Sequence, residues 1–297
     1  MFNAKVNTRF FGLLGNPVGQ SAAPFMHNSV YQKLGLDMLY VPLELEMESL
    51  ETVVRTMQLF NYAGTGVTMP FKTQVHKYVD GLADSARYTE VVNTIVIEKD
   101  GRKIGHNTDG TGFVESLEKQ AGLNIPDHRY LLLGSGGAAT AIACALAMRG
   151  ATAMRSICIR QDYSYAETLY TRVNAHFPGV CEIDEMNDTT IRKGLEEFDV
   201  IIHATKVGLY PKTGDILFDP ALLSSSHLVC DVVYVPMETK LLVEAEKRGC
   251  RTLSGLWMNV YQAAEQMRLW AGIEEPPIDF MYQCGIEYLR REGKLTA

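Results

Sequence analysis

The run YLLLGSGGAATAIACALAMRG, residues 130–150, constrains the fold of this chain more than any other stretch. Four apolar residues of strand character meet a glycine turn, and a helix of small residues follows. Gly134, Gly136 and Ala139 fit the spacing G-x-G-x-x-G/A. In such a turn the first glycine makes the tight bend and the second lets a pyrophosphate approach the backbone. The small third residue lets helix and strand pack closely, and the helix N-terminus faces the anion. Alone, the spacing also fits an ordinary tight βα turn. Here an apolar strand precedes it, a helix follows, and a further strand, SICIR (156–160), comes next. Two more strands, DVIIHAT (199–205) and LVCDVVY (228–234), complete an alternating pattern that predicts an α/β layer binding a dinucleotide.

At the tip of the second of these strands stand Arg160, Gln161 and Asp162. An acidic residue here holds the adenosine ribose hydroxyls, and an arginine meets a 2′-phosphate. Both types are present, and a solvated charged loop accounts for at least one of them. KVGLYP (206–211) forms a glycine-containing loop at a strand's carboxyl end, where ligands gather in such sheets.

The first half also alternates. FFGLL (10–14) predicts a buried strand ending in a Gly-Asn-Pro turn. Phe25, Met26, Val30 and Leu34 give 24–35 a helical spacing, with Pro24 suited to its first turn. LYVPLEL predicts a strand, 47–60 an amphipathic helix and GTGVT a third strand. TIVIEKDGRKIG predicts a hairpin turning at Asp100-Gly101. In GVTMPFK (66–72), Pro70 stops the strand and Lys72 follows as a lone cation with helical residues after it. This is either a plain corner or a reactive amine held at the edge of a cleft.

Composition narrows the class. A chain of 297 residues suffices for two domains, and a net charge of −7 argues against nucleic acid as a partner. No apolar run reaches membrane-spanning length, and MFNAKVNTRFFGLLG lacks a signal-peptide core. The six cysteines form no CxxC, the pattern of reduced, buried thiols in a cytoplasmic protein. His27, His106 and His203 have no metal-ligand spacing, so no metal is expected. Met258, Met267 and Trp270, at helical spacing, are expected in the core.

The motifs together resemble the shikimate/quinate dehydrogenases, nearly end to end. GNPVGQS with His27-Asn28 matches the family's N-terminal substrate loop, and GVTMPFK resembles N-V-T-x-P-F-K. VVNT (91–94), HNTDGTG (106–112) and GSGGA (134–138) match in order. HATKVGL (203–209) resembles N-A-T-x-x-G-M. DVVYVPMETKLL (231–242) and GLWMNVYQAAEQMRLWAG (255–272) match its later motifs. The resemblance implies an α/β protein with an N-terminal substrate domain, residues 1–109 and 256–297, and a Rossmann-type NAD(P) domain, residues 110–255. The C-terminal helices return to the first domain. It implies catalysis by Lys72 with Asp109 as carboxylate partner, and a polyol site lined by Ser21, Thr68, Asn93, Tyr234 and Gln262. It puts Gly134, Gly136, Gly137, Ala138, Arg160, Asp162, Thr205 and Gly255 at the cofactor. The partner it implies is a small cyclic hydroxy acid, with no nucleic acid or membrane, and the chain acts as a monomer or homodimer.

These residue types suit the chemistry. Oxidising a secondary alcohol requires hydride loss at carbon and proton loss at oxygen. The Lys72 amine can shuttle that proton or hold the developing charge. Asp109 would orient the amine and favour its ammonium form, although helix N-capping competes for a carboxylate before a glycine. Asn93 and Gln262 both donate and accept, which suits a ring of hydroxyls; turn capping, packing or surface exposure are the plainer roles for Asn93, Tyr234 and Gln262.

Four positions depart from the family pattern. Ala23 replaces the second serine of S-x-S, Gly66 the asparagine of N-V-T, His203 an asparagine and Gln20 a histidine. The expectation is retained redox chemistry on an altered substrate. Loss of a hydroxyl at 23 and an amide at 66 would weaken shikimate binding, open space for an added substituent and loosen the strand before Lys72. Quinate, an aminoshikimate and other cyclic polyols are candidates. Ile159-Arg160-Gln161 keeps only the arginine of N-R-T, and Asp162 repels a 2′-phosphate, so NAD is favoured with NADP tolerated. A methylene-tetrahydrofolate-dehydrogenase-like enzyme and a non-catalytic regulator on the same fold are the alternatives; Lys72 and Asp109 weigh against the regulator.

Overall fold

The computed structural model describes residues 4–19 and 21–295. The chain forms two compact units. One gathers the residues up to Thr108 with Val260–Tyr288, and the other gathers Asp109–Asn259 with the residues from Leu289 onward.

In the first unit the chain runs β1 (Arg9–Gly15), α1 (Ala23–Lys33), β2 (Met38–Glu44), α2 (Leu50–Thr56), β3 (Tyr62–Val67), β4 (Gly81–Leu82), α3 (Asp84–Arg87), β5 (Thr94–Ile97) and β6 (Lys103–His106). The six strands form one sheet in the order β2-β1-β3-β5-β6-β4. β1 pairs in parallel with β2 and β3, whereas β5 pairs antiparallel with β3 and β6. Pro42 sits in β2, an edge strand, where a missing N–H is tolerated.

Alternation along β1 builds two cores. Phe11 and Leu13 join Met26, Val30 and Tyr31 of α1 and Val260, Ala264, Met267 and Trp270 from the late helical segment. Leu14 joins Leu50, Val54, Val67, Phe71 and Ile95. Period-two side chains from one strand thus reach both layers.

The expected hairpin is present: β5 and β6 turn through Gly101, with Gly101 N–H donating to the Glu98 carbonyl at 2.9 Å. The single helix expected over 47–60 is broken. Only Leu50–Thr56 is α-helical, flanked by 3₁₀ turns at Met47–Ser49 and Met57–Phe60. The expected helix after Lys72 is likewise two 3₁₀ turns, Phe71–Thr73 and Val75–Tyr78. Periodicity registers the buried face of these segments and is insensitive to whether each turn closes at three or four residues.

The chain continues through α4 (Thr108–Gln120), β7 (Tyr130–Leu133), α5 (Gly137–Met148), β8 (Met154–Cys158), α6 (Tyr163–His176), β9 (Cys181–Glu185), α7 (Asp188–Glu197), β10 (Val200–His203), β11 (Leu228–Asp231), α8 (Lys240–Lys247) and β12 (Arg251–Ser254). These strands form an all-parallel sheet in the order β12-β11-β10-β7-β8-β9. This is the doubly wound order, with its switch point between β7 and β10. β11 ends at Asp231 rather than Tyr234, so the last three residues of LVCDVVY are loop. All four residues of β7 are fully buried, each large apolar side chain stabilising by roughly 1.5–3 kcal/mol. α9 (Gly255–Gln266) and α10 (Ile278–Arg291) follow, with a π-helical turn at Met267–Ala271 between them. Met258, Met267 and Trp270 are buried, and the six cysteines are free and buried. No described helix is long and apolar enough to cross a membrane.

Candidate active site

The corner bearing Lys72 is fixed by backbone hydrogen bonds from neighbouring strand ends. Thr68 N–H donates to the Leu14 carbonyl at 2.8 Å, and Asn16 N–H donates to the Met69 carbonyl at 3.0 Å. Val67 N–H donates to the Asn93 carbonyl at 2.7 Å, and Val92 N–H to the Lys72 carbonyl at 2.9 Å. The Met69–Pro70 peptide is cis. Pro70 offers no N–H, so strand pairing ends there, and fully buried Phe71 anchors the turn beneath half-buried Lys72. Thr68 is half-buried on the same turn.

Asn93 and Gln262, 169 residues apart in sequence, are brought together in the first unit. Asn93 Nδ2 donates to Thr108 Oγ1 at 3.0 Å and lies 3.5 Å from Gln262 Oε1. Asn93 Oδ1 accepts from the Thr108 N–H at 2.7 Å and from Thr94 Oγ1 at 2.8 Å. The network continues inward in one direction. Trp270 Nε1–H donates to Tyr31, so the Tyr31 hydrogen goes to His27 Nδ1 and His27 Nε2–H goes to Gln266 Oε1. Gln266 Nε2 then donates to Thr94 at 2.9 Å, and Thr94 to Asn93. Burial pushes His27 down to about 3, against the opposing effect of the Gln266 hydrogen bond, so the ring is neutral. The orientation of the Asn93 amide is thereby set by groups that never reach the surface.

Ser21 stands just before α1, where its hydroxyl accepts the Ala23 N–H at 3.2 Å. Ala23 is buried. Gln20 lies outside the described residues. Asp109 is 8 % exposed and lies within the first turn of α4, where its charge favours the helix N-terminus. Asp109 and the half-buried Tyr234 belong to the second unit.

Position 66 corrects an expectation. The space there is not open. A Cβ on Gly66 would lie 2.7 Å from the Tyr40 hydroxyl and 3.2 Å from Leu13 Cδ1. Tyr40 is 2 % exposed, stacks on His27 with ring centroids 4.3 Å apart, and its hydroxyl finds no hydrogen-bond partner among the described residues. Nor is the strand loosened, because Gly66 pairs with Leu13 on one side and Thr94 on the other. Sequence reasoning missed Tyr40, Thr94, Thr108 and Gln266. No sequence signal pointed to Tyr40, because it meets Gly66 only across β1.

In the second unit, Gly134 follows β7 at φ +121°, a backbone conformation that favours glycine. Its N–H donates to the Ile157 carbonyl at 2.9 Å, and its carbonyl accepts from Ser156 Oγ at 3.0 Å. Gly136 is exposed and open space lies where its Cβ would project. Gly137 and Ala138 open α5, whose N-terminus has no side-chain cap and no acidic residue in its first turn. Uncapped N–H groups beside an exposed glycine fit the pyrophosphate of NAD or NADP. Arg160 is exposed and its guanidinium approaches Glu185 at 3.8 Å, while exposed Asp162 precedes α6. Thr205 is half-buried beside the Gly134 turn. Gly255 opens α9 where a Cβ would overlap the Val232 carbonyl and come within 2.7 Å of the Asp231 carbonyl, so close packing alone accounts for a glycine there. Among the described residues no cluster of three His, Cys, Asp or Glu side chains is placed to hold a metal ion.

Comparison with known proteins places this architecture. The family model for the shikimate dehydrogenase substrate binding domain matches residues 13–95. A shikimate dehydrogenase (NADP(+)) of Alkaliphilus oremlandii is 36 % identical over 276 residues, 92 % of this chain and 95 % of its own. The crystal structure of shikimate 5-dehydrogenase from Listeria monocytogenes, in complex with shikimate and NAD, superposes with a TM-score of 0.88 at 35 % identity, covering 94 % of this chain and 97 % of that one. The ligand-free 5-ketofructose reductase of Gluconobacter sp. strain CHM43 superposes with a TM-score of 0.84 at 29 % identity, covering 95 % and 99 %. The fold and these matches define an NAD(P)-dependent oxidoreductase. The chain belongs to the shikimate dehydrogenase family.

Proposed function

We propose that the protein interconverts a secondary alcohol and a ketone on a cyclic polyhydroxy carboxylic acid of the shikimate and quinate kind, with NAD as the favoured cofactor and NADP tolerated. The observation that carries this reading is the buried Asn93–Thr108–Gln262 cluster, whose amides are oriented by an internal network and suited to hydroxyls. Residues 1–109 and 256–297 form the substrate side, and 110–255 the cofactor side.

Bound NAD(P) supplies the hydride acceptor or donor. Lys72 takes the proton from the substrate hydroxyl oxygen, or returns it to the ketone oxygen, and Asp109 orients the amine. Ser21, Thr68, Asn93, Tyr234 and Gln262 hold the remaining hydroxyls and the carboxylate. Gly134, Gly136, Gly137 and Ala138 receive the pyrophosphate on backbone N–H groups, with Thr205 and Gly255 nearby. Asp162 accepts the ribose hydroxyls. Glu185 stands 3.8 Å from the Arg160 guanidinium and adds a second carboxylate against a 2′-phosphate. Six buried thiols suit a reducing, cytoplasmic setting.

A second reading concerns the substrate. Ala23 lacks the hydroxyl that the family places toward a carboxylate, and the structural relative named for a keto sugar shares this fold. An altered acid such as an aminoshikimate, or a cyclic polyol, then replaces shikimate as the preferred substrate. Steady-state assays of shikimate, quinate, an aminoshikimate and 5-ketofructose, each with NAD and NADP, decide between the two. Turnover of none of them by cofactor-binding protein would overturn both. Shikimate turnover with the efficiency typical of metabolic enzymes would remove the second.

A further inference from the structure

His203 departs from the family pattern, and the proposed reaction gives it no role. It ends β10, is 2 % exposed, and is paired in register with Leu133 on one side and Asp231 on the other. Its Nδ1 meets Asp231 Oδ1 at 2.9 Å. Asp231 is 1 % exposed and already accepts from Val233 N–H at 2.9 Å and from Thr239 Oγ1 at 2.7 Å. A carboxylate with three donors is an acceptor only, so His203 Nδ1 carries a hydrogen toward it. In the neutral ring Nε2 is then the acceptor for Thr205 Oγ1, 2.6 Å away. The Thr205 oxygen in turn accepts the Val207 N–H at 3.1 Å. Asp231, His203, Thr205 and Val207 form one chain, buried at Asp231 and His203 and half-buried at Thr205 and Val207, that pins the segment after β10.

That segment is the wall of the glycine turn. A Cβ on Gly134 would lie 2.7 Å from the Ala204 carbonyl oxygen and 3.0 Å from Thr205 Cγ2. The contact falls at the switch point between β7 and β10, where ligands of doubly wound sheets bind.

We propose that His203 is a positioning residue for the dinucleotide. Oriented by Asp231, it consumes the Thr205 hydrogen and holds the Thr205–Val207 segment against the Gly134 turn. The inference rests on the NAD(P) reading above. It predicts that the imidazole acts through Thr205 on cofactor affinity, with no effect on the substrate side.

The test is fluorescence titration of NADH into the intact protein, with kcat and the two KM values on whichever substrate is active. An asparagine at 203 can bridge Asp231 and Thr205 as the imidazole does, and a leucine cannot. His203→Leu and Thr205→Val each raise the NADH dissociation constant about tenfold, as loss of one hydrogen bond would. His203→Asn and Thr205→Ser stay within about threefold of the native protein. The double variant His203→Leu/Thr205→Val is no weaker than either single change, because both break one chain. In His203→Leu and His203→Asn the substrate KM and kcat at saturating cofactor hold. His203→Leu leaves a buried carboxylate short of a donor and risks misfolding; His203→Asn keeps both bonds, and a tenfold loss of NADH affinity in that variant would overturn the proposal. Native NADH affinity in Thr205→Val, full additivity in the double variant, or an equal rise in substrate KM would overturn the role of His203. Failure of the native protein to bind NADH would instead overturn the cofactor reading, and this proposal with it.

Discussion

His27 is sealed within the first unit, and its burial has a pH signature. The unfolded chain takes a proton on this ring near the ordinary value of 6.5, whereas the folded protein resists until about 3. Above 6.5 the ring is neutral in both states and its contribution is intact. As pH falls from 6.5 toward 3 that contribution is lost, at about 1.4 kcal/mol per pH unit. His27→Gln keeps a donor toward Gln266 without a titrating ring. Urea midpoints at pH 7 and pH 5 should converge in the variant relative to the native protein; equal losses in both would show that this ring does not drive the decline. Lys72 makes the complementary prediction. Lys72→Ala should lower turnover by about a hundred- to ten-thousand-fold while leaving NADH binding unchanged. Unchanged turnover would take the amine out of the proton transfer.

Between elements, the contact of β2 with β3 across β1 decides what position 66 can hold. The Tyr40 hydroxyl occupies the space that a side chain at Gly66 needs. Gly66→Asn should cost about 1–3 kcal/mol by overpacking, and adding Tyr40→Phe should recover part of it, because the hydroxyl removed has no partner among the described residues. Chemical unfolding of the two variants measures this; a native-like Gly66→Asn would mean that Tyr40 moves freely. At the other sheet, the end of β9 and the start of α6 set the charge near Arg160. Asp162→Ala with Glu185→Gln should shift the ratio of NADP to NAD affinity toward NADP by tenfold or more, on the order of one charge-assisted contact. A native protein that already binds NADP tenfold more tightly than NAD would refute the preference. Strands and the glycine turn were legible in the sequence because alternation and glycine spacing are local properties. The pairing of Asn93 with Gln262 became readable only through the family resemblance, since nothing local links residues 169 apart. Tyr40 against Gly66 was not legible at all: a glycine reads as room until its neighbours across the sheet are known.

For the molecule as a whole, a ligand bound only by the folded state adds stability in proportion to its saturation. NADH at about a hundred times its dissociation constant should add about 2.7 kcal/mol, visible as a rise in melting temperature by calorimetry. No rise at such a concentration would argue that the Gly134 turn does not bind this cofactor. The two units meet this test unequally in one further respect, which is the order in which their parts are made. The first unit is interrupted: Phe11, Met26, Tyr31 and Tyr40 close their core on Val260, Met267 and Trp270. On a ribosome adding 5–20 residues per second, about 220 residues separate Tyr40 from Val260, a delay on the order of ten to forty seconds. Through that interval one face of β1 waits unclosed while the intervening sheet is completed, so the nascent chain depends on shielding of that face until its final helices emerge.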